Sequence, residues 1–127
     1  MRIYIDTNVY LDFFLERGNA NHAYKIFKKT LLCHHQIILS NHLIIELSKN
    51  MDYSKAKFLF ETLKHKLILV HLEDADKEEA KKITTHYADA LHIVLAKKSG
   101  ADCIITNNTK DFSSIFKTHS PESFRQL

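Results

Sequence analysis

The sequence has few residues that interrupt regular structure. Its 127 residues include only two glycines, Gly18 and Gly100, and one proline, Pro121. Because glycine and proline are the strongest local breakers of helices and strands, their scarcity predicts regular elements joined by short polar turns. No linker, repeat or low-complexity stretch divides the chain, and its length suits one domain, residues 1–127, with a sizeable core.

Cysteines and long apolar runs are also scarce. The two cysteines, Cys33 and Cys103, lie far apart and follow no secretory leader, which gives no disulfide framework and fits a reducing cytosol. Arg2 and Asp6 bracket only three apolar residues, unlike the long apolar region of a signal peptide. The longest apolar runs fall well short of the roughly 18 residues that a membrane helix needs. We therefore expect a soluble cytoplasmic protein with no membrane contact.

A large excess of charge of one sign is absent too. Lys and Arg total 18 and Asp and Glu total 15, so the formal net charge is only +3. A protein with this balance would contact nucleic acid through a local patch and not through a strongly basic body. The composition permits RNA binding without requiring it.

The sequence does contain short apolar runs that alternate with amphipathic helices. Strand-like runs occur at 3–5, 37–39, 67–70 and 103–105, with a fifth candidate at 117–119. Unbroken apolar strands alternating with helices predict a mostly parallel five-stranded sheet covered on both faces, a three-layer α/β/α fold. The apolar residues with helical spacing, which we expect to face the core, are Ala20, Ala23, Tyr24, Phe27 and Leu31, then Ala56, Leu59, Phe60 and Leu63, and more weakly Ala75, Ala80 and Ile83.

Two acidic residues lie where such a sheet would bring them together. Asp6 directly follows the first strand, and Glu46 lies in the second turn of a helix that Ser40 or Asn41 could cap after the second strand. In α/β folds, ligands and metals bind at the carboxyl ends of the strands. Glu46 alone could be an ordinary glutamate on a helix flank, but apolar residues on both sides of it place its carboxylate near buried surface.

A third acid interrupts a helix that is apolar nearly all round. Asp89 and His92 are the only polar residues of 88–96, and an ionised carboxylate there is costly unless it is paired or bound to a cation. A helix that leads into a parallel strand runs antiparallel to the sheet, so its first turn lies at the same edge as the first two acids. The alternative is a helix N-terminal acid that complements the helix dipole, with Thr84 or Thr85 as the cap.

Oxygen-rich side chains continue in the segment after the fourth strand, namely Thr106, Asn107, Asn108 and Asp111. Such residues also cap helices, the default interpretation for Asn107 and Thr109, and Asp111 could be a first-turn dipole acid. Several carboxylates at one edge repel each other unless a divalent cation neutralises them. Hard oxygen ligands favour Mg²⁺ or Mn²⁺ over zinc and suit the hydrolysis of a phosphodiester.

The histidines and lysines carry weaker signals. Cys33, His34 and His35 do not have a familiar zinc-ligand spacing, so we interpret them as a solvated helix end. Lys110, beside the predicted pocket, is a candidate for contacting RNA phosphates. His92 is a second candidate because it shares a helix face with Asp89, although a hydrogen-bonded histidine near the core is the simpler interpretation.

These residues resemble the small PIN-domain ribonucleases, a family that includes the VapC toxins of toxin-antitoxin pairs. The similar segments are IYIDTNVYLD, HLIIEL, YADALHIVLAKKSGADCIITNNTKDF and HSPESF, and the likeness extends over essentially the whole chain. The resemblance implies strand order 3-2-1-4-5 and an endoribonuclease that uses Mg²⁺ or Mn²⁺, with Asp6, Glu46 and Asp89 as catalytic and metal-binding carboxylates and Thr7 and Thr106 supporting them. It also implies a cognate antitoxin partner and a homodimer, to which Phe13, Phe14 and Phe58 could contribute exposed apolar contacts.

The chain departs from the resemblance at the fourth acidic position. Asn108 stands where many relatives have an aspartate, and Asp111 follows three residues later. Because asparagine offers an oxygen but no charge, we expect one tightly held ion and a weaker second, with Asn108 and Asp111 as further ligands. The departure also motivates an alternative, a PIN-like module that has lost catalysis and binds RNA or protein. Phosphotransfer through Asp6, as in haloacid dehalogenases, is disfavoured because Asn8 stands where that chemistry needs a second aspartate.

Overall fold

The chain forms a parallel sheet whose strands alternate with helices. The structure, a computed structural model, describes residues 1–125. The strands are β1 (Arg2–Ile5), β2 (Gln36–Ser40), β3 (Leu67–Val70), β4 (Cys103–Ile105) and β5 (Thr118–His119). The helices are α1 (Thr7–Phe14), α2 (Ala20–Leu32), α3 (Asn41–Asn50), α4 (Tyr53–Thr62), α5 (Asp74–Lys81), α6 (Tyr87–Lys98), α7 (Thr109–Phe112) and α8 (Pro121–Arg125), with a short 3₁₀ turn at Lys64–Lys66.

All four strand pairs are parallel, and the order across the sheet is β3-β2-β1-β4-β5. The predicted fold class and strand order are therefore confirmed. β1 is central, with Tyr4 opposite Ile38 of β2 on one side and Ile104 of β4 on the other. Since every strand runs the same way, the residues that follow β1, β2 and β4 leave the sheet at one edge.

The sheet has a core on each face, as the alternation of strand side chains requires. Ile3 and Ile5 pack with α1, α2, α3, α4 and α8 on one face, whereas Tyr4 packs with α6 and α7 on the other. The side chains of Ile3, Tyr4 and Ile5 are all fully buried. This is the predicted three-layer arrangement, and it explains why the residues between the first residue of β1 and its carboxyl end are all apolar.

The buried face of α2 differs from the predicted stripe. Ala23 and Phe27 are buried as expected, but Tyr24 is 54% exposed and Leu31 is 46% exposed. Ile26 and Thr30 occupy the buried positions instead. The set 23, 26, 27 and 30 has the same helical spacing, and Thr30 can join it because its hydroxyl donates to the Ile26 carbonyl at 2.9 Å.

The other predicted stripes are buried in part. In α4 and the residue that follows it, Ala56, Phe60 and Leu63 are buried as expected. In α5, Ala80 is buried but Ala75 is exposed, because this short helix covers only the edge of the core near α6.

Helix starts show which of the predicted caps form. Ser40 caps α3, since its Oγ accepts a hydrogen bond from the Leu43 amide at 3.0 Å. The alternative interpretation of Asp89 had Thr84 or Thr85 as the cap of α6, and this cap does not form, because α6 begins at Tyr87 after His86, which makes no side-chain cap bond. The Thr85 hydroxyl donates instead to the Asp111 carbonyl at 3.4 Å.

The expected caps of α7 are also wrong. Asn108 precedes this helix and makes no side-chain cap bond, so neither Asn107 nor Thr109 is the N-cap. The Asn107 amide group instead donates to Asp12 at 2.9 Å.

Within residues 1–125, no helix is long and apolar enough to span a membrane.

Candidate metal-binding site

Three carboxylates converge at the carboxyl edge of the sheet. Asp6 is the first residue after β1, Glu46 lies in the second turn of α3 after β2, and Asp89 lies in the first turn of α6 before β4. We call these three residues, with Asp111 of α7 beside them, the carboxylate pocket. Each acid comes from a different part of the chain, and the parallel topology alone brings them to one place.

Asp6 is held rigidly by donors on both of its oxygens. Its side chain is nearly buried and caps α1, with Oδ1 accepting from the Thr7 amide at 2.7 Å. Oδ2 accepts from the Thr106 hydroxyl at 2.7 Å, and the Asp6 amide donates to the Ile105 carbonyl at 2.9 Å. The supporting position expected for Thr106 is therefore a direct hydrogen bond to the central carboxylate.

Glu46 is held by one neutral donor and one histidine. Its Oε1 accepts from the Thr7 hydroxyl at 2.8 Å and lies 2.6 Å from Nε2 of His92. Thr7 thus touches two of the three acids, through its amide to Asp6 and through its hydroxyl to Glu46. Thr7, the first residue of α1, therefore connects two carboxylates that come from distant segments of the chain.

His92 lies inside the protein, between the carboxylates and the sheet. It is 2% exposed, its Nε2 also lies 3.6 Å from Oδ1 of Asp6, and its Nδ1 lies 2.6 Å from the Tyr4 hydroxyl. Tyr4 in turn lies 3.0 Å from the Oγ of Ser40. With both ring nitrogens bonded, His92 is the hydrogen-bonded near-core histidine, and its burial leaves Lys110 as the exposed candidate for RNA.

The ionisation of Glu46 and His92 is strongly coupled. Burial alone would raise the pKa of Glu46, but the hydrogen bond and charge of His92 and the hydrogen bond from Thr7 lower it to about 2. Burial alone would lower the pKa of His92, but the bond to Glu46 and the charges of Asp6, Glu46 and Asp89 raise it. The metal-free pocket therefore favours an imidazolium bonded to a carboxylate.

Among residues 1–125, Asp89 has no ionic hydrogen bond like the one between Glu46 and His92. Partial burial and the charges of Asp6 and Asp111 raise the pKa of Asp89, and His92 and His86 oppose this only in part. A carboxylate whose ionisation is disfavoured by neighbouring carboxylates gains most from a cation between them. This charge distribution and the oxygen donors of Asp6, Glu46 and Asp89 fit a hard divalent ion.

The loop after β4 closes the other side of the pocket. The Asn108 amide donates to the Thr106 hydroxyl at 3.0 Å, and the Asn108 side chain is exposed, as is that of Lys110. Asp111 is half-buried, and its charge reaches Asp89. The acidic group on this side of the pocket is therefore Asp111, three residues beyond the position where the sequence has asparagine.

Two residues near the pocket, His42 and Asp12, were not predicted from the sequence. His42 lies one turn before Glu46 on α3, and its Nε2 is 3.6 Å from Oε1 of Glu46. The i, i+4 spacing of His42 and Glu46 was a readable signal. The prediction of oxygen donors alone is therefore incomplete, because the imidazoles of His42 and His92 lie on either side of Glu46.

Asp12 is the second missed residue. It is 8% exposed and accepts from the Asn107 side chain at 2.9 Å and from the Asn19 amide at 3.1 Å. Arg17 also pairs with it, at 3.3 Å. Asp12 therefore ties the loop after β4 to the turn after α1 and is a structural acid behind the pocket.

The Tyr4 hydroxyl should contribute more to the free energy of unfolding than the buried hydroxyl of Tyr10 does. Tyr4→Phe leaves Nδ1 of His92 without its partner, so we expect a loss of about 1–3 kcal/mol in the free energy of unfolding. Tyr10→Phe is the matched control, because the Tyr10 hydroxyl is buried with no hydrogen-bond partner and its removal should cost little or even stabilise. Urea unfolding of the two variants measures the difference, and equal losses would contradict the assigned role of Tyr4.

The bond between His92 and Glu46 also predicts an acid dependence of stability. Ionised Glu46 stabilises the fold above its ordinary pKa of 4.5, and this contribution is lost as the pH falls toward the folded pKa of about 2. The free energy of unfolding of the metal-free protein should therefore fall more steeply across this window than that of Glu46→Gln. Glu61→Gln, at an exposed position of α4, should follow the unsubstituted protein. Parallel curves for all three proteins would show that Glu46 gains nothing from its partners.

Comparison with known proteins agrees with this architecture. The model of a PIN domain family matches residues 2–110. A comparison with curated proteins gave no significant match.

Solved structures of similar fold share little sequence with the chain. A chain of the Rickettsia felis VapBC2 complex, bound to a promoter DNA fragment, has a TM-score of 0.67 at 16% identity and covers 94% of this chain and 98% of its own. The Mycobacterium tuberculosis toxin VapC20, which cleaves the sarcin-ricin loop, has a TM-score of 0.67 at 13% identity and covers 90% and 95%. A chain of VapBC-1 from nontypeable Haemophilus influenzae has a TM-score of 0.66 at 18% identity and covers 96% and 99%.

At these identities the solved structures establish the shared fold, whereas the family model extends over most of the chain. The match includes the carboxyl ends of β1, β2 and β4 and all three converging acids. This chain belongs to the PIN domain family.

Proposed function

We propose that this protein is a divalent-metal-dependent endoribonuclease and the toxin of a toxin-antitoxin pair. The observation that carries the proposal is the convergence of Asp6, Glu46 and Asp89 at one sheet edge, where partial burial and the charges of Asp6 and Asp111 raise the pKa of Asp89. A pocket of this charge is costly to maintain in a protein that does not bind a cation there. Family membership adds the class of reaction.

Asp6, Glu46 and Asp89 would hold Mg²⁺ or Mn²⁺, with Asp111 and Asn108 as further oxygen donors. When bound, the ion supplies Lewis-acid activation of a water and neutralises charge that develops on the phosphate. Thr106 and Thr7 fix the oxygens of Asp6 and Glu46, so the ligands are arranged before the ion binds. This pre-arrangement lowers the cost of assembling the site during the reaction.

Lys110 would attract the RNA backbone to the pocket. It is exposed in the first turn of α7, next to Asp111 of the carboxylate pocket. A lysine there contacts phosphate without reading base identity, so it contributes affinity and not sequence preference. The buried ring of His92 would act on Glu46 and Asp6 and not on RNA.

The proposed substrate and partner rest on similar proteins. VapC20 is a toxin that cleaves the sarcin-ricin loop, an RNA element, and a similar chain from Klebsiella pneumoniae comes from a toxin-antitoxin complex. We therefore infer an RNA substrate and a cognate antitoxin for this chain. Pairing of two copies through an apolar groove that includes Phe13, Phe14 and the 77% exposed Phe58 stays a prediction.

The alternative function is a PIN module that binds RNA or protein without cutting. The observation in its favour is the exposed, uncharged side chain of Asn108 at the fourth acidic position. Asp111 weighs against it, since the charge of that residue still reaches Asp89. The two functions differ in whether divalent ions bind the pocket and whether RNA is cut.

Removing one pocket charge should abolish RNA cleavage. In the presence of Mg²⁺ or Mn²⁺, we expect Asp6→Asn and Asp89→Asn each to lower the rate by more than about 100-fold, because even residues that only support metal ligands cost up to that much. Glu61→Gln is the matched control, since Glu61 is exposed near the end of α4, which leads into the amino end of β3 at the opposite edge of the sheet. The rate is measured on a structured RNA by gel electrophoresis, with melting temperatures recorded for each variant.

Two results would overturn this assignment. Undiminished cleavage by folded Asp6→Asn and Asp89→Asn would place the activity elsewhere. Absence of both cleavage and calorimetric Mn²⁺ binding in the unsubstituted protein would favour the non-cutting module.

The toxin role predicts a specific inhibitor. The protein encoded next to this chain, added in equimolar amount, should suppress cleavage and form a complex that elutes as one species in size-exclusion chromatography. An antitoxin segment that fills the carboxylate pocket would present a basic side chain to Asp89 and Asp111, because these acids have the least compensated charge. Full activity in the presence of that protein would contradict the toxin role but not the nuclease activity.

A further inference from the structure

A second group of metal-ligand atoms lies beside the carboxylate pocket. His42, Glu46 and His92 each offer one ligand atom, and these three atoms lie within 4.8 Å of one another. We call these three residues the histidine cluster. We propose that the histidine cluster binds a borderline divalent transition-metal ion, with Zn²⁺ the best match, through two imidazoles and one carboxylate. This binding does not depend on the RNA-cutting activity proposed above.

The spacing of the three atoms is close to that of a zinc site. Ligand atoms about 2.1 Å from a tetrahedral zinc lie about 3.4 Å from one another. Nε2 of His42 is 3.6 Å from Oε1 of Glu46, and Nε2 of His92 is 2.6 Å from the same oxygen. The second distance is that of a hydrogen bond, so His92 and Glu46 need to separate by less than about 1 Å once an ion replaces the shared proton.

An unsatisfied atom supplies independent evidence for a ligand. Nε2 of His42 is buried and has no hydrogen-bond partner in the described part of the chain, although it lies 3.6 Å from Oε1 of Glu46. A buried polar atom without a partner costs free energy, and such atoms in folded proteins call for an explanation such as an absent ion. Coordination would satisfy this nitrogen at the place where the other two ligand atoms already converge.

His92 also has the outer contacts that are typical of a metal-binding histidine. Its other ring nitrogen is bonded to the Tyr4 hydroxyl at 2.6 Å, and Tyr4 is bonded to Ser40 at 3.0 Å. Partners of this kind fix the orientation and tautomer of a metal-ligating imidazole. Since Ser40 also caps α3, the same chain of bonds connects His92 to the helix that carries His42 and Glu46.

The chemistry of these donors separates the histidine cluster from the carboxylate pocket. Imidazole suits zinc, cobalt, nickel and copper, whereas Mg²⁺ prefers oxygen donors and keeps several waters. Three protein ligands leave a fourth tetrahedral position open for water or substrate. Because Glu46 belongs to both sites, an ion in the histidine cluster would compete with a hard ion for that carboxylate.

The test measures metal binding to the full-length, metal-free protein in the absence of RNA. Titration with Co²⁺ should give the intense visible absorption of a tetrahedral nitrogen-containing site, and Zn²⁺ should displace it at one ion per chain. His42→Ala should weaken Zn²⁺ binding by about 10-fold or more in calorimetry. Asp89→Asn removes an acid of the carboxylate pocket and not of the histidine cluster, so it should retain Zn²⁺ binding.

The matched control addresses the histidines outside the cluster, which are seven of the nine in the chain. His35→Ala removes a half-buried histidine that also has an unpartnered ring nitrogen and lies next to His34 and Cys33. It should bind Zn²⁺ as the unsubstituted protein does. Circular dichroism and melting temperature show whether each variant is folded, and His42 is only partly buried, which favours tolerance of its loss.

Three outcomes would overturn the proposal. Unchanged Zn²⁺ affinity in His42→Ala would exclude His42 as a ligand, and loss of binding in His35→Ala instead would place the ion at the end of α2. Loss of Zn²⁺ binding in Asp89→Asn would assign the ion to the carboxylate pocket. Since none of these measurements uses RNA, a protein that fails to cut RNA could still confirm the histidine cluster, and an active nuclease could still refute it.

Discussion

The hydrogen bond between Nε2 of His92 and Oε1 of Glu46 is the interaction on which the candidate site depends. At 2.6 Å it joins α6 to α3 above the end of β1, where Asp6 lies 3.6 Å from the same nitrogen. Tyr4 supports the histidine from the sheet side. Because the three acids come from three separate elements, this bond keeps their spacing independent of any bound ion. The same bond and the surrounding carboxylates raise the pKa of His92, which favours a positive charge at this place.

Each carboxylate of the pocket meets the cost of partial burial in a different way. Asp6 accepts neutral donors, the Thr7 amide and the Thr106 hydroxyl. Glu46 accepts an ionic hydrogen bond from His92 and a neutral one from Thr7. Among the described residues Asp89 has neither kind of hydrogen bond, and partial burial together with the negative charges of Asp6 and Asp111 raises its pKa. The uncompensated charge is therefore concentrated on the Asp89 side, which is where a cation or a basic side chain of a partner gains the most free energy.

The pocket is closely packed on the side of Asp6 and open on the side of Asp89. Asp6 and Thr7 are buried, whereas Asp89 and Asp111 are half-buried and Lys110 is exposed. Substrate would therefore enter past α7 and meet ligands whose geometry is already set on the far side. The fold supplies this asymmetry, because β1 lies at the centre of the sheet and β4 lies nearer its edge.

Most of the fold was predictable because it follows from short-range patterns and one rule of topology. Apolar runs predicted the strands to within a residue or two, and the parallel arrangement placed Asp6, Glu46 and Asp89 at one edge before any distance was known. The face of α2 was less predictable, since Tyr24 and Ile26 both fit helical spacing and only the neighbouring helices determine which is buried. Thr84 and Thr85 are not caps because α6 begins later, at Tyr87, without a side-chain cap bond from His86.

The histidines of the site could not be assigned from sequence because their role depends on contacts between distant segments. His92 looked like a near-core histidine, and only the approach of α3 brings Glu46 to its Nε2. His42 showed an i, i+4 relation to Glu46, but nine histidines in the chain made that relation a weak signal. Asp12 likewise gains its partners only when the loop after β4 meets the turn after α1.

The charge balance of the pocket bears on how many hard ions it would hold. Asp6, Glu46, Asp89 and Asp111 carry four negative charges when ionised, and an imidazolium at His92 leaves three of them uncompensated. One divalent ion then leaves a single negative charge, whereas a second would make the pocket positive before any phosphate enters. Asn108 in place of an acid acts in the same direction as His92, since each makes the pocket less negative by one charge. Both residues therefore favour a single tightly held ion, with the phosphate of an RNA substrate needed to stabilise a second.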